Sequence, residues 1–307
     1  MDWKKINLYL LLTFGFSWTV ALIMWLCHIR LDSLLGTALV AALFMPGPAV
    51  STFIVQKFIY KEGFKNYGWS FERKAIRWIL FTPLAFLGLT GLTFAIVILF
   101  GNTHWIPEFG ELDFSQQNLF LNLREMASSK LNMDTIELPD IPPRLLFLVM
   151  LVQGIIGGST ISLPFMFGEE LGWRGLMLKE TSSLGFLGSN VFIGLVWGIW
   201  HLPVILMGHN YPHHPYFGII MMCLFTLSIA PLFAYIRIKT KSILGPCMLH
   251  GMLNASGAMY VLYIANGNEL YSSVAGWAGI MACAMLTIGI LLLDKTFVSG
   301  YRNSAWE

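Results

Sequence analysis

The chain consists of long apolar segments separated by shorter polar connections. A helix that crosses a bilayer needs about 20 predominantly apolar residues, because the hydrocarbon layer is about 30 Å thick. The fourth segment is too long for one simple crossing and contains Pro164 and Gly168, so we expect a broken helix there, or an interfacial helix leading into a span. The pattern predicts an all-α bundle of about eight spans: 6–27, 35–59, 76–100, 145–180, 184–208, 215–236, 242–264 and 272–293.

Composition excludes a water-soluble protein. Hydrophobic residues make up 56% of the 307 positions and charged residues only 12%, whereas soluble domains carry about 25% charged residues. We therefore expect residues 1–307 to form a single transmembrane domain. The net charge of +2 is too small, and Lys and Arg are too dispersed, for a nucleic-acid partner. The four cysteines make no CxxC pair, which argues against a disulfide framework or a cysteine zinc site.

The basic residues predict the orientation in the membrane. With eight spans, the termini and the even-numbered connections hold fourteen Lys and Arg, and the odd-numbered connections hold four. Positive charge marks the cytoplasmic side, so we expect both termini in the cytoplasm and residues 101–144 in an extracytoplasmic loop. The fourteen are Lys4, Lys5, Lys57, Lys61, Lys65, Arg73, Lys74, Arg77, Lys179, Arg237, Lys239, Lys241, Lys295 and Arg302; the four are Arg30, Arg124, Lys130 and Arg144.

Ionisable residues within apolar spans are costly, which makes them candidates for function. The fourth segment contains Glu169, Glu170 and Arg174. Glu170 and Arg174 are four residues apart, so they share a helix face and can pair, which offsets much of the cost of burying each charge. Glu169 lies about 100° around the helix and lacks a local partner, which suits a general acid or base. The alternative is that all three form one structural network.

Two further polar clusters lie at comparable depth in other spans. The fifth span contains Trp197 and His201, and the seventh contains His250 and Asn254, which face the same way because they are four residues apart. A lone membrane histidine is more often a packing residue. The estimated depths of Glu169 and His201 differ by about 9 Å, a gap that a kink in the fourth segment can close. Because three spans place polar groups at a similar depth in the membrane, we expect these groups to form a functional site.

Together these clusters resemble the motifs of the CPBP family, which contains the CAAX prenyl endopeptidases and bacteriocin-processing enzymes and is also called Abi. Glu169-Glu170-xxx-Arg174 resembles its EExxxR motif, and His250-xxx-Asn254 resembles its HxxxN motif. Trp197-xxx-His201 resembles FxxxH, with Trp where the family has Phe. Because Trp keeps an aromatic wall, we expect no effect on chemistry. The resemblance covers about residues 145–264, which we therefore predict to be the catalytic core.

The resemblance implies an eight-helix intramembrane glutamic protease. Glu169 would activate water as general base, and His201 would hold and orient that water. His250 and Asn254 would donate hydrogen bonds to the oxyanion. Glu170 and Arg174, with Trp197 as a further supporting residue, would maintain the shape of the site. The scheme requires no metal or other cofactor, and its substrate would be a membrane-associated peptide or protein, lipidated in the case of CAAX processing.

Several alternatives remain open from the sequence. Glu169, His201 and His250 could form the two-histidine, one-carboxylate set of a zinc protease, although the chain has no HExxH motif. His209, His213 and His214 lie in one short connection and could also bind a metal. The favoured interpretation is that this connection is a solvated loop. A non-catalytic scaffold or bacteriocin immunity factor of the same fold is a different functional class. A non-catalytic function would not explain why Glu169, His201, His250 and Asn254 are all retained in apolar spans, where polar groups are costly.

Overall fold

The computed structural model describes residues 1–68, 75–128 and 141–304, and these are almost entirely helical. Among them, six helices are long and apolar enough to cross a membrane, or seven if one bent pair counts as a single span. This confirms the prediction of an all-α polytopic membrane protein. In chain order the helices are α1 (Trp3–Leu26), α2 (Leu34–Ile59), α3 (Ile76–Asn102), α4 (Gln116–Ser128), α5 (Pro143–Gly158), α6 (Leu163–Glu180), α7 (Gly185–Trp200), α8 (Leu202–Leu206), α9 (Pro215–Thr240), α10 (Leu244–Ala255), α11 (Gly257–Tyr263), α12 (Glu269–Ser272), α13 (Trp277–Leu293) and α14 (Phe297–Ser304).

The bent pair is α5 and α6, whose axes differ by 60°. This confirms the prediction of a broken helix in the fourth apolar segment. The break lies at residues 159–162, just before Pro164, which occupies the first turn of α6. Proline is tolerated there because an N–H group at that position has no partner within the helix. Gly168 remains helical, and a Cβ at this position would lie 3.0 Å from the Cα of Pro46.

Two other predicted spans are interrupted. The segment 242–264 divides at Ser256 into α10, with 12 residues, and α11, with 7 residues. Neither is long enough to qualify as a membrane span by itself. The segment 184–208 is interrupted at His201, which lies between α7 and α8 instead of inside one long helix. Both interruptions fall beside the polar clusters and place these residues at helix ends.

The helix α9 occupies the centre of the bundle and packs against α7, α10 and α13. Small residues of α7 allow a close approach to α9. A Cβ at Gly194 would lie 2.9 Å from the Cα of Leu227, and one at Gly198 would lie 2.7 Å from the Cα of Cys223. Small side chains at such contacts let two helix backbones approach each other.

The described part of the connection 101–144 is ordered and packs against the bundle. Its strand β1 (Glu111–Leu112) pairs with β2 (Ile264–Ala265) in an antiparallel ladder. Its helix α4 packs against α11. Residues 129–140 of the predicted loop lie outside the described residues, as do Arg73, Lys74 and Lys130 of the orientation argument.

Candidate functional site

The acidic pair lies where the winding of α6 changes. Glu169 and Glu170 end an α-helical stretch, and a π-helical segment, Leu171–Met177, follows directly. Short π-helical stretches occur frequently at functional sites. Glu169 is 2% exposed, Glu170 is fully buried and Arg174 is 1% exposed. Burial of three ionisable groups in one turn requires partners for their charges.

Arg174 and Glu170 form the pair that the sequence predicts. Nη1 of Arg174 lies 3.1 Å from Oε1 of Glu170. The guanidinium carbon also lies 4.2 Å from the ring centroid of Trp197 and 4.3 Å from that of Phe233. Two aromatic faces and a carboxylate thus surround the arginine, and a guanidinium is well suited to such stacking. This environment offsets part of the cost of removing the guanidinium from water.

Glu169 has a neutral partner. The indole Nε1–H of Trp197 donates a hydrogen bond to Oε2 of Glu169 over 2.9 Å. The structure therefore separates the two carboxyl groups: Glu170 is paired with a cation, and Glu169 is held by an indole. A phenyl ring at this position could not donate this hydrogen bond, so Trp197 adds a contact that the aromatic wall expected from the sequence does not include.

His201 is oriented by the backbone of α7. Its Nδ1 lies 2.8 Å from the carbonyl oxygen of Trp197. A carbonyl can only accept a hydrogen bond, so Nδ1 carries the proton and donates. In the neutral ring, Nε2 then has a free lone pair. His201 can therefore accept a proton or a hydrogen bond through Nε2.

His250 joins α10 to the acidic pair on α6. Its Nδ1 lies 2.9 Å from Oε1 of Glu170, the oxygen that also contacts Arg174. Asn254, one turn further along α10, places Nδ2 3.5 Å from Sδ of Met166 on α6. The ring of Trp197 lies 5.5 Å from that of His250, measured between centroids. The contact between His250 and Glu170 was not predicted from the sequence.

All four predicted catalytic residues line one cavity of about 1700 Å³. They are Glu169, His201, His250 and Asn254. They come from three parts of the bundle: α6, the junction of α7 with α8, and α10 together with its end. The bend between α5 and α6 and the break at His201 bring these parts together. The cavity provides a continuous space in which one bound molecule can contact all four side chains.

Sequence reasoning missed several residues around this cavity. Phe233 lies 5.8 Å from the His250 ring, and Phe44 of α2 also lines the cavity. Nε1 of Trp18 donates to the carbonyl of Trp200 over 3.1 Å and joins α1 to this region. Phe44 and Trp18 lie outside residues 145–264, so the surroundings of the site extend beyond the predicted core. An aromatic residue in an apolar span carries no signal that would have identified it.

Neither set of candidate metal ligands forms a cluster tight enough to hold a metal ion among the described residues. Within residues 1–68, 75–128 and 141–304, no three His, Cys, Asp or Glu side chains are close enough to hold a metal ion. His213 and His214 of the histidine-rich loop instead contact Glu269, with Nδ1 to carboxylate distances of 3.0 Å and 3.2 Å. These contacts connect the loop to α12.

Comparison with known proteins finds similarity in the segment that carries the three motifs. Residues 142–256 match the family described as Type II CAAX prenyl endopeptidase Rce1-like. The chain is also similar to CAAX prenyl protease 2 of Methanococcus maripaludis, with 25% identity over a region that covers 43% of this chain and 60% of that protein. The chain thus spans less than two thirds of the length of this relative. The matched segment contains the three motifs and all four predicted catalytic residues, which supports the resemblance to the CPBP family.

Proposed function

We propose that the protein is an intramembrane endopeptidase that hydrolyses a peptide bond in a membrane-associated peptide or protein. The observation that carries the proposal is the convergence of Glu169, His201, His250 and Asn254 on one cavity. Amide hydrolysis needs a nucleophile, a proton acceptor and donors directed at the developing oxyanion. These four side chains can supply the proton acceptor and the oxyanion donors, and they can position a water molecule as the nucleophile.

Glu169 and His201 together suit activation of water. The carboxyl group of Glu169 accepts the water proton as general base. Nε2 of His201 has its lone pair free because Nδ1 donates to the backbone, so it accepts a hydrogen bond from the second water proton. A water molecule held by both protons directs its own lone pair away from them, toward the carbonyl carbon of the substrate. The same carboxyl group then returns the proton to the leaving amine.

His250 and Asn254 suit the oxyanion side of the reaction. The amide Nδ2 of Asn254 is a neutral donor. Nδ1 of His250 is occupied by Glu170, so the ring donates to an oxyanion through Nε2, which requires a second proton on the imidazole. The carboxylate of Glu170 provides the counter-charge for that doubly protonated ring. In this proposal Glu170 and Arg174 are positioning residues.

The substrate proposal follows from the chemistry of the cavity and from the relative. The cavity combines aromatic residues with polar groups, which suits an apolar or amphipathic peptide. The name of the relative, CAAX prenyl protease 2, makes lipidated peptides one class to test.

We predict that Glu169→Gln abolishes cleavage while the fold is kept, because the amide cannot accept the water proton. General-base catalysis typically contributes about 10²–10⁴-fold, and we expect a loss of that size. Comparative proteomics of membranes containing wild-type or variant protein identifies peptides cut only by the wild type, and the rate is then measured with purified protein. Glu62→Gln, which removes a partly exposed carboxyl group in the connection just after α2, is the control and should retain the rate. Cleavage by Glu169→Gln at the wild-type rate would refute the proposal.

Chelation distinguishes this mechanism from that of a zinc protease. We predict that purified protein dialysed against a strong chelator keeps its full rate, because the proposed water activation uses only side chains. The same preparation is analysed for bound metal. Loss of activity on chelation, with recovery when Zn²⁺ is added back, would establish the zinc alternative.

A further inference from the structure

The cavity is lined on one side by the connections between helices. Besides the buried residues of the site, its lining includes residues from three chain segments: 107–125, 208–214 and 264–275. These are the connections between α3 and α5, between α8 and α9, and between α11 and α13. Polar side chains such as Gln117 and Asn268 are among them. We call this end of the cavity, lined by polar connections, the mouth.

The N-terminus and the connections that follow α2, α6, α9 and α13 lie at the opposite end of the molecule. Nζ of Lys5 lies 2.8 Å from Glu62 and 3.2 Å from Glu180. Lys239 forms an ion pair with Asp294. These contacts place the start of α1 and the ends of α2, α6, α9 and α13 at one level. We call this end the basic end.

Of the connections at the basic end, the parts that the structure describes contribute no lining residue to the cavity. Trp173, Leu176 and Met177 of the π-helical segment are fully buried between the site and this end. The backbone N–H of Ile243 donates to the carbonyl of Gly68 over 3.0 Å and closes two connections against each other. Among the described residues, the path from the site to the basic end is therefore filled by side chains.

The distribution of Lys and Arg assigns the two ends to the two sides of the membrane. In the part of the chain that the structure describes, the mouth end carries three basic residues, Arg30, Arg124 and Arg144. The lining of the cavity contains neither Lys nor Arg. The basic end carries the positions that the orientation rule places in the cytoplasm. The mouth then faces away from the cytoplasm.

We propose that the substrate reaches the site from the non-cytoplasmic side, so that the bond to be cleaved belongs to a peptide segment exposed on that face of the membrane. The inference rests on the proposed endopeptidase function and narrows its substrate class. A peptide tail presented in the cytoplasm meets the packed basic end. A secreted peptide, or the outer segment of a membrane protein, meets the open mouth.

Thiol labelling tests the side of access without using activity. Single cysteines are introduced in a Cys27→Ser background, because Cys27 is exposed whereas the other three native cysteines are partly or fully buried. Gln117→Cys reports on the mouth, Lys65→Cys on the basic end and Asn254→Cys on the site. Bacterial spheroplasts and inverted membrane vesicles containing each variant are treated with a small, charged, membrane-impermeant thiosulfonate.

We expect Gln117→Cys and Asn254→Cys to be labelled at least tenfold faster in spheroplasts than in inverted vesicles, and Lys65→Cys to show the reverse. Labelling of Gln117→Cys only in inverted vesicles would overturn the proposed orientation. Labelling of Asn254→Cys from the cytoplasmic side would overturn access through the mouth. Neither result depends on cleavage, so a failure here is distinct from a failure of Glu169→Gln to lose activity.

Discussion

Trp197 is the residue that connects the parts of the candidate site. Its indole N–H donates to Glu169, and its carbonyl accepts from His201. Its ring also covers the guanidinium of Arg174 and lies edge-on to His250. One side chain thus positions the proposed base while its own backbone fixes the tautomer of the proposed water-binding histidine.

We predict that Trp197→Phe keeps the fold but lowers the cleavage rate about 3- to 10-fold, because Glu169 loses a hydrogen bond of about 0.5–1.5 kcal/mol net. The measurement is kcat for a substrate identified by proteomics, together with the melting temperature. Trp25→Phe, at a side chain that is 61% exposed, is the control. An unchanged kcat would show that this hydrogen bond does not assist the reaction.

The residues of the site were predictable to different degrees. The three motifs predicted Glu169, His201, His250 and Asn254 because polar groups in apolar spans are rare. The i,i+4 spacing predicted the pair of Glu170 with Arg174. The contact of His250 with Glu170 was not predictable, since 80 residues separate them and helix periodicity carries no information on contacts between helices.

At the scale of the elements, close backbone contact between α5 and α10 positions His250. A Cβ on Gly158 would lie 2.3 Å from the backbone nitrogen of Met252, and one on Gly251 would lie 2.3 Å from the carbonyl oxygen of Gly158. Backbone atoms at such a distance cannot move aside to accommodate a Cβ, whereas the end of a flexible side chain can. Glycine at both positions allows α10 to pack directly on α5.

We predict that Gly158→Ala destabilises the protein by about 1–3 kcal/mol, as overpacking of a close contact typically does. Gly157→Ala is the matched control, because a Cβ there meets no atom within 4 Å. Thermal unfolding in detergent should show a lower melting temperature for Gly158→Ala alone. Equal melting temperatures for both variants would contradict the proposed role of this contact.

The elements themselves were predictable from hydropathy, but their interruptions were only partly so. Proline at 164 predicted the bend before α6. The break at Ser256 was not predictable, because the segment 242–264 is predominantly apolar and contains no proline beyond Pro246 near its start. Hydropathy predicts which segments form helices in an apolar environment. Packing against neighbouring helices determines where such a helix bends.

At the scale of the whole molecule, ion pairs at the basic end hold several connections together. Lys5 donates to Glu62, and this hydrogen bond lowers the pKa of Glu62 below its ordinary value of 4.5. A carboxyl group with a lowered pKa stabilises the folded state above its ordinary pKa. That contribution disappears as the pH falls below about 4.5 and through the lowered value.

We predict that Glu62→Gln melts about 1–2 °C below the wild type at pH 7 and that this difference shrinks steadily as the pH falls below 4.5. The effect is small because the Glu62 side chain is 48% exposed and solvent screens the pair. Thermal unfolding in detergent over a series of pH values measures it, with Glu108→Gln as a carboxyl control. A difference that does not change as the pH falls would show that packing, and not charge, accounts for it.

The start of α1 and the whole of α14 lie at the face of the molecule remote from the mouth. The N-terminal turn of α1 contacts Glu62 and Glu180, and Phe297 and Tyr301 of α14 contact Phe186 at the start of α7. With substrate entering through the mouth, as we propose, a folded domain, an affinity handle or a fluorescent reporter joined at either extremity would sit across the bilayer from incoming peptides. Such attachments should leave turnover intact, which makes both extremities suitable positions for purification and imaging of an active protein.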